Sequence, residues 1–231
     1  MPADVAAPTP HASLVRTART TGLFYLALGI AGMLGFLIVR PALFVPQDPS
    51  ATLARLVGNE GLARLGIALE MGLAVAQTLA ALWFFRLFRS ADDFAAGAIT
   101  VLGLVNAIAV LASAAFLATA LQVAVAPLGP DRLDAHLMYV VSANFWQVGN
   151  LFFGLWLIPM GWCVLRSGWM PRVLGWFLIG GGPGYVLHAF VGYLAPGAGA
   201  MFELLVMPAT VGEFWMIGYL LAKGVSRRAT P

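Results

Sequence analysis

The chain has 231 residues, of which 61% are hydrophobic and 10% are charged, and its mean hydropathy is +0.88. Soluble domains carry about a quarter charged residues, so the composition excludes a soluble globular protein and indicates a membrane protein. The single cysteine, Cys163, excludes an internal disulfide and leaves no cysteine pair with metal-ligand spacing.

The apolar residues form six runs separated by short polar segments. A membrane-spanning helix needs about 20 apolar residues, and a lone strand would leave its backbone groups unpaired in hydrocarbon. The sequence therefore predicts an all-α polytopic membrane protein, a bundle of six transmembrane helices. The predicted spans cover residues 21–39, 65–85, 96–121, 139–164, 173–194 and 204–222.

The two ends of the chain lie outside these spans. Residues 1–19 contain Pro, Ala and Thr but no apolar core of a signal peptide. We therefore expect a flexible cytoplasmic arm over residues 1–19, a six-helix transmembrane domain over residues 20–225 and a cytoplasmic tail over residues 226–231.

Basic residues indicate the orientation of the spans. If the spans alternate in direction, nine Lys and Arg lie on the side of both termini: Arg16, Arg19, Arg86, Arg89, Arg166, Arg172, Lys223, Arg227 and Arg228. Four lie on the other side: Arg40, Arg55, Arg64 and Arg132. The positive-inside rule then predicts that both termini are cytoplasmic. This asymmetry also explains the pI of about 9.4, so we expect membrane lipids as partners and no nucleic-acid binding.

Two connecting segments carry local structural signals. Asp48 followed by Pro49 predicts the start of a short helix in the first outer loop. Leu53, Leu56 and Val57 are expected on one face of that helix, which is either a lid over a cavity or an interfacial connector. In the segment after the fourth span, Gly168 is expected to adopt a positive φ and to make a tight turn.

Two acidic residues lie inside predicted spans. Glu70 and Gln77 are seven residues apart and share one face of the second span, while Glu213 is near the middle of the sixth. A charge at such a depth costs about 2.5 to 3.5 kcal/mol on insertion scales. Each carboxylate must therefore be neutral, paired or in contact with water, and each is a candidate functional residue.

Other polar residues occur on the fourth and fifth spans. Asn144, Gln147 and Asn150 are found along the fourth span, and His188 follows the segment GGGPGYVL on the fifth. Counting from the outer end of each span brings Glu70, Asn144 and His188 to a similar depth. This predicts a polar pocket near the outer face with Glu70 and His188 as hydrogen-bond partners. The alternative is that the amide residues only hold helices together.

Familiar catalytic motifs do not occur in the sequence. It contains no HExxH, no phosphate-binding loop ending in GK[ST] and no GxSxG. The histidines His11, His136 and His188 are scattered, so we expect neither a metal site nor a cofactor. Acid–base catalysis by Glu70, Glu213 and His188 remains an alternative if these residues converge.

Several short motifs resemble those of a known family. They are RLGIALE (64–70), LFFGL (151–155), RSGWMPRVLGW (166–176), GPGY (182–185) and VGEFW (211–215). Together they are similar to the signatures of a bacterial multi-pass membrane family catalogued only as a domain of unknown function. The resemblance covers residues 20–225 and implies a six-helix protein of the bacterial inner membrane, with Arg64, Glu70 and Glu213 at family motif positions. It implies no activity.

Three functional hypotheses follow from the sequence. The first is a protein that binds or carries a small molecule or lipid in an intramembrane pocket formed by Glu70, Gln77, Asn144, Gln147, Asn150, His188 and Glu213. The second is an intramembrane enzyme that uses the two acids and the histidine. The third is a structural or regulatory subunit whose polar residues join its helices. The sequence assigns no oligomeric state.

Overall fold

A computed structural model describes residues 10–126, 134–195 and 203–226. The α-helices of these residues are α1 (Pro10–Met33), α2 (Arg40–Leu43), α3 (Pro49–Gly58), α4 (Glu60–Phe88), α5 (Asp93–Val125), α6 (Asp134–Ser167), α7 (Arg172–Leu194) and α8 (Met207–Ala222). A six-residue π-helix (Leu34–Val39) joins α1 to α2, and a 3-10 turn (Glu203–Leu205) precedes α8. The predicted all-α architecture is confirmed.

The long helices form a closed ring. Helices α4, α5, α6, α7 and α8 each pack against the next one in the chain, and α1 closes the ring between α8 and α4. Tyr25, Phe84 and Trp156 fill the centre, with ring centroids 5.4 to 6.0 Å apart in edge-to-face contacts. This geometry is the one that aromatic quadrupoles favour, so the middle of the ring is a packed core.

Five helical segments of the described residues are long and apolar enough to cross a membrane. They are α1 with its π-helix and α2, then α4, α5, α6 and α7. Helix α8 has 16 residues and is about 24 Å long, somewhat less than the hydrocarbon thickness of about 30 Å. The sixth crossing and the cytoplasmic position of the termini therefore stay predictions.

One end of the ring brings together four parts of the chain. Phe88, at the end of α4, stacks on Trp169 in the α6–α7 loop with centroids 6.3 Å apart. Ser226 donates from its main chain to the Trp169 carbonyl at 3.0 Å, and Gly224 packs against Val15 at the start of α1. We call this the basic end, because Arg86, Arg89, Arg166 and Lys223 lie in the segments that meet here. We call the opposite end, where α3 lies, the lid end. The alternating direction assumed for the spans is consistent with this arrangement.

The two predicted local signals have the expected backbone geometry. Gly168 adopts a φ of 66° in the α6–α7 loop. At the lid end, Asp48 accepts a hydrogen bond from the Ala51 main chain at 2.8 Å, and Pro49 is the first residue of α3. Of the three residues expected on one face of α3, Leu56 is buried, Leu53 is half-buried and Val57 is exposed. Thr52 takes the second inward position.

Candidate functional site

Arg40 is buried inside the ring near the lid end. The sequence interpretation placed it in an outer loop, which is wrong because the helix continues past residue 39 through the π-helix to Leu43. A π-helix has a wider turn than an α-helix and often marks a functional site, and here it precedes Arg40 directly. Arg40 is therefore not a loop charge, and the cytoplasmic position of the termini stays a prediction.

Glu70 on α4 is the counter-ion of Arg40. The Arg40 Nη2 atom lies 2.9 Å from Glu70 Oε1, and the two side chains are 10% and 5% exposed. The sequence interpretation paired Glu70 with His188; the structure pairs it with Arg40. Buried charges are tolerated when they are paired and hydrogen-bonded, and this ion pair explains why an acid can lie inside an apolar helix.

Three further side chains form hydrogen bonds with the ion pair. Arg40 Nη2 also donates to Ser142 Oγ at 2.9 Å and faces Ser113 Oγ at 3.5 Å, and the two serine hydroxyls are 2.7 Å apart. The Trp146 indole N–H donates to Glu70 Oε1 at 2.9 Å. The guanidinium lies over the Tyr139 ring, 5.6 Å from its centroid, a cation–π contact. Helices α2, α4, α5 and α6 thus converge on one polar cluster.

One donor and one acceptor of the ion pair have no partner. Arg40 Nη1 and Glu70 Oε2 are buried and without hydrogen bonds among the described residues. Both residues line a cavity of about 10 Å³, which is roughly the space that one water molecule needs. Other lining residues are Gly35, Val39, Leu56, Ala63, Gly66, Leu117 and Tyr139. Two residues with an unpartnered polar atom therefore line the same small space.

Helix α3 covers this cavity from the lid end. Leu56 of α3 is 1% exposed and lines the cavity. Thr52 bonds with the main chain of Val45 and approaches His136 Nδ1 at 3.2 Å, and Arg55 donates to the carbonyls at the end of α2. The apolar side chains of Leu53 and Leu56 and a few polar contacts thus hold α3 over the ion pair.

The predicted polar residues of α6 point in a different direction. Asn144 accepts a hydrogen bond from the Tyr193 hydroxyl at 3.2 Å, and the Gln147 amide lies against Gly192, so both face α7. Asn150 is half-buried. His188 on α7 is half-buried, and its buried Nδ1 has no partner among the described residues. The structure does not bring these residues to the ion pair.

Glu213 lies at another level of the ring. Its Oε1 accepts a hydrogen bond of 2.6 Å from the Tyr25 hydroxyl. Tyr25 precedes Arg40 by 15 residues on one continuous helical segment, so about 20 Å separates the two acids along the axis. The predicted pocket is therefore divided, with Glu70 near the lid end and Glu213 near the middle.

A second group of buried polar side chains lies between these levels. Gln77 and Asn106 are at most 1% exposed, and neither amide has a hydrogen-bond partner among the described residues. Gln77 and the Trp156 ring both pack against Gly103, and the Asn106 side chain approaches Gly149. Gln77 thus faces the interior, as its spacing from Glu70 predicts.

A larger groove of about 650 Å³ opens between α4 and α5. It is lined by Arg64, Ile67, Ala68, Met71, Ala118, Leu121, Gln122, Val125 and Ala126. Its walls are mostly apolar, and its polar residues Arg64 and Gln122 lie near the lid end. Among the described residues, no group of three or more His, Cys, Asp or Glu side chains could hold a metal ion.

Comparison with known proteins gives one family match. A family model described as a domain of unknown function (DUF4386) matches residues 20–224. No curated protein and no solved structure matches the chain significantly.

Proposed function

We propose that this chain, which belongs to the DUF4386 family, a domain of unknown function, binds a small polar molecule between Arg40 and Glu70. The proposal rests on the geometry of the ion pair. The observation that carries the proposal is that Arg40 and Glu70 line one cavity and that each has a buried atom, Nη1 and Oε2, without a hydrogen-bond partner among the described residues. An unmade hydrogen bond at a buried polar group costs about 1 to 3 kcal/mol, and more at a charged one. A ligand that satisfies both atoms recovers this free energy.

The two atoms define the chemistry of the ligand. Arg40 Nη1 can only donate and ionised Glu70 Oε2 can only accept, so the ligand presents an acceptor and a donor a few ångströms apart. A zwitterion, an amide or a hydroxylated amine meets this requirement. The Tyr139 ring beside the guanidinium adds an aromatic wall to the site.

The size of the cavity requires α3 to move. Pockets for drug-sized ligands occupy about 300 to 1,000 Å³, whereas this cavity has room for one water molecule. The wall that faces the lid end is Leu56 of α3, on a ten-residue helix outside the ring. We therefore assign α3 the role of a lid, the functional alternative that the sequence left open.

The geometry favours binding over the two other hypotheses. An enzyme using Glu70, Glu213 and His188 needs these groups within hydrogen-bond reach, yet about 20 Å separates the acids along the helical segment that contacts both. A purely structural subunit needs each polar group bonded to a neighbouring helix. Asn144 fits that description, but the unpartnered atoms of Arg40 and Glu70 do not.

Native mass spectrometry of protein extracted from its host membrane tests the proposal. We expect a non-covalent adduct of small mass on the wild-type protein and its loss from the double variant Arg40→Met/Glu70→Leu, which removes both charges together. Asn144→Ala is the matched control, because Asn144 faces α7 and should retain the adduct. A wild-type protein without any adduct, or equal occupancy on the double variant, contradicts the proposal. An adduct with the mass of a phospholipid that survives in the double variant belongs to the α4–α5 groove.

A further inference from the structure

Glu213 has no basic partner, in contrast with Glu70. Among the described residues, no Lys, Arg or His nitrogen lies within 4 Å of its carboxylate. The groups that act on it are two phenol hydroxyls, Tyr25 on α1, which donates at 2.6 Å, and Tyr185 on α7. Glu213 is half-buried, and its hydrogen-bond partner among the described residues is a phenol hydroxyl and not a basic nitrogen.

The position of Glu213 makes this environment costly for a free charge. It lies ten residues before Lys223, at the end of α8, and Lys223 adjoins the basic end. Ten residues of helix span about 15 Å, so on the predicted sixth crossing Glu213 lies near the middle of a hydrocarbon core of about 30 Å. A carboxylate at that depth must be neutral, paired or in contact with water; Arg40 pairs with Glu70, whereas no basic side chain among the described residues pairs with Glu213.

We propose that Glu213, Tyr25 and Tyr185 form a site for one monovalent positive charge, taken up as a proton or as a sodium ion. The donor set consists of carboxylate and hydroxyl oxygens, which suit a proton or a hard cation and not a soft metal. Each phenol can rotate its O–H to donate to the carboxylate or turn its oxygen toward a bound cation. This site is independent of the Arg40–Glu70 site and goes beyond the proposed function.

The surroundings of the site contain few other ionisable groups. The helices that pack against α8 are α1 and α7. Helix α1 presents Tyr25, and α7 presents Tyr185 with His188 one turn further toward the lid end. Thr210 of α8 lies beside the Tyr185 hydroxyl. Glu213 is thus the acid at this level to which an added cation would bind.

Thermal unfolding of the purified full chain in detergent tests the inference without any knowledge of the ligand. In one arm, NaCl replaces KCl at constant ionic strength and constant pH. In the other arm, the pH is lowered in KCl without NaCl. A cation that binds the native state and not the unfolded chain raises the midpoint of unfolding. We expect a rise in one arm, sodium or proton, and its loss in Glu213→Gln. The matched control is Glu60→Gln, which removes an exposed carboxylate and should leave the rise unchanged.

A milder variant keeps the inference testable if Glu213→Gln fails to fold. Tyr25→Phe removes a hydroxyl oxygen that would ligate a sodium ion, so the apparent sodium affinity should weaken roughly tenfold or more. Because the same hydroxyl donates to the ionised carboxylate, its loss should instead shift a proton-dependent rise to higher pH. Two results would overturn the inference: a wild-type midpoint that responds to neither cation, or a response in both Tyr25→Phe and Glu213→Gln that equals the wild-type response.

Discussion

Removing one member of the Arg40–Glu70 ion pair should destabilise the protein more than removing both. The two charged atoms are 2.9 Å apart, so their attraction amounts to about 6 kcal/mol at an effective dielectric constant of about 20. Burial of each ion alone costs several kcal/mol. A single substitution loses the attraction and leaves the other ion buried without a counter-charge, at a net cost of about 3 to 5 kcal/mol.

A double-mutant cycle measures this effect. The variants are Arg40→Met, Glu70→Leu and the combination, each read by unfolding in mixed detergent–SDS micelles. The double variant replaces both charges with apolar groups and should be closer to wild type than either single variant. The exposed pair Arg64 and Glu60 on α4 provides the control cycle, with an expected coupling below about 1 kcal/mol.

Two results of this cycle would refute the reasoning. The first is additivity of the two single substitutions within about 0.5 kcal/mol, which independent sites show. The second is a cost below about 1 kcal/mol for either single variant, as for a solvated surface pair. In both cases Arg40 and Glu70 would not be the desolvated pair that the proposed site requires.

Two further predictions concern the basic end and the α6–α7 contact. The pKa of Asp92 is lowered by the Ala95 main-chain N–H, the Trp162 indole and the Arg166 guanidinium. The ionised carboxylate therefore stabilises the folded protein above its ordinary pKa of about 3.9. This stabilisation is lost as the pH falls through the pKa of Asp92 in the folded protein. Asp92→Asn, which retains an N-cap, should therefore lose less stability than wild type between pH 5 and about pH 3 in a detergent unfolding series; an equal loss would contradict this. Gly182→Ala should cost about 1 to 3 kcal/mol by overpacking, since its Cβ would lie 2.7 Å from a backbone oxygen of α6. In the same unfolding assay Gly180→Ala, whose Cβ meets nothing within 4 Å, should cost nothing, and similar losses in both variants would refute the close helix contact.

The sequence predicted the local features well because neighbouring residues determine them. Asp48 and Pro49 start α3, and Gly168 has the positive φ that its turn requires. Long apolar runs likewise indicated the membrane-spanning helices, since length and hydropathy are properties of the segment itself.

The partners of the buried groups were not predicted, because depth along a helix does not determine the direction of a side chain. Successive residues of a helix turn by about 100°, so Trp146 reaches Glu70 while Gln147, the next residue, faces α7. Arg40 was missed for a related reason. An arginine after an apolar run is usually a headgroup anchor, and only the continuation of the helix through the π-helix carries it inward. A buried acid without a visible counter-ion was the signal that could have pointed to it.

Cysteine accessibility at Leu56 tests the covered binding site most directly. Leu56→Cys and Val57→Cys are made in a Cys163→Ala background, and the purified proteins are labelled with a bulky hydrophilic maleimide. A lid that opens and closes predicts slow but complete labelling at position 56 and fast labelling at position 57. No labelling at position 56 would contradict a lid that opens, and equal rates at both positions would contradict a lid that covers the Arg40–Glu70 site.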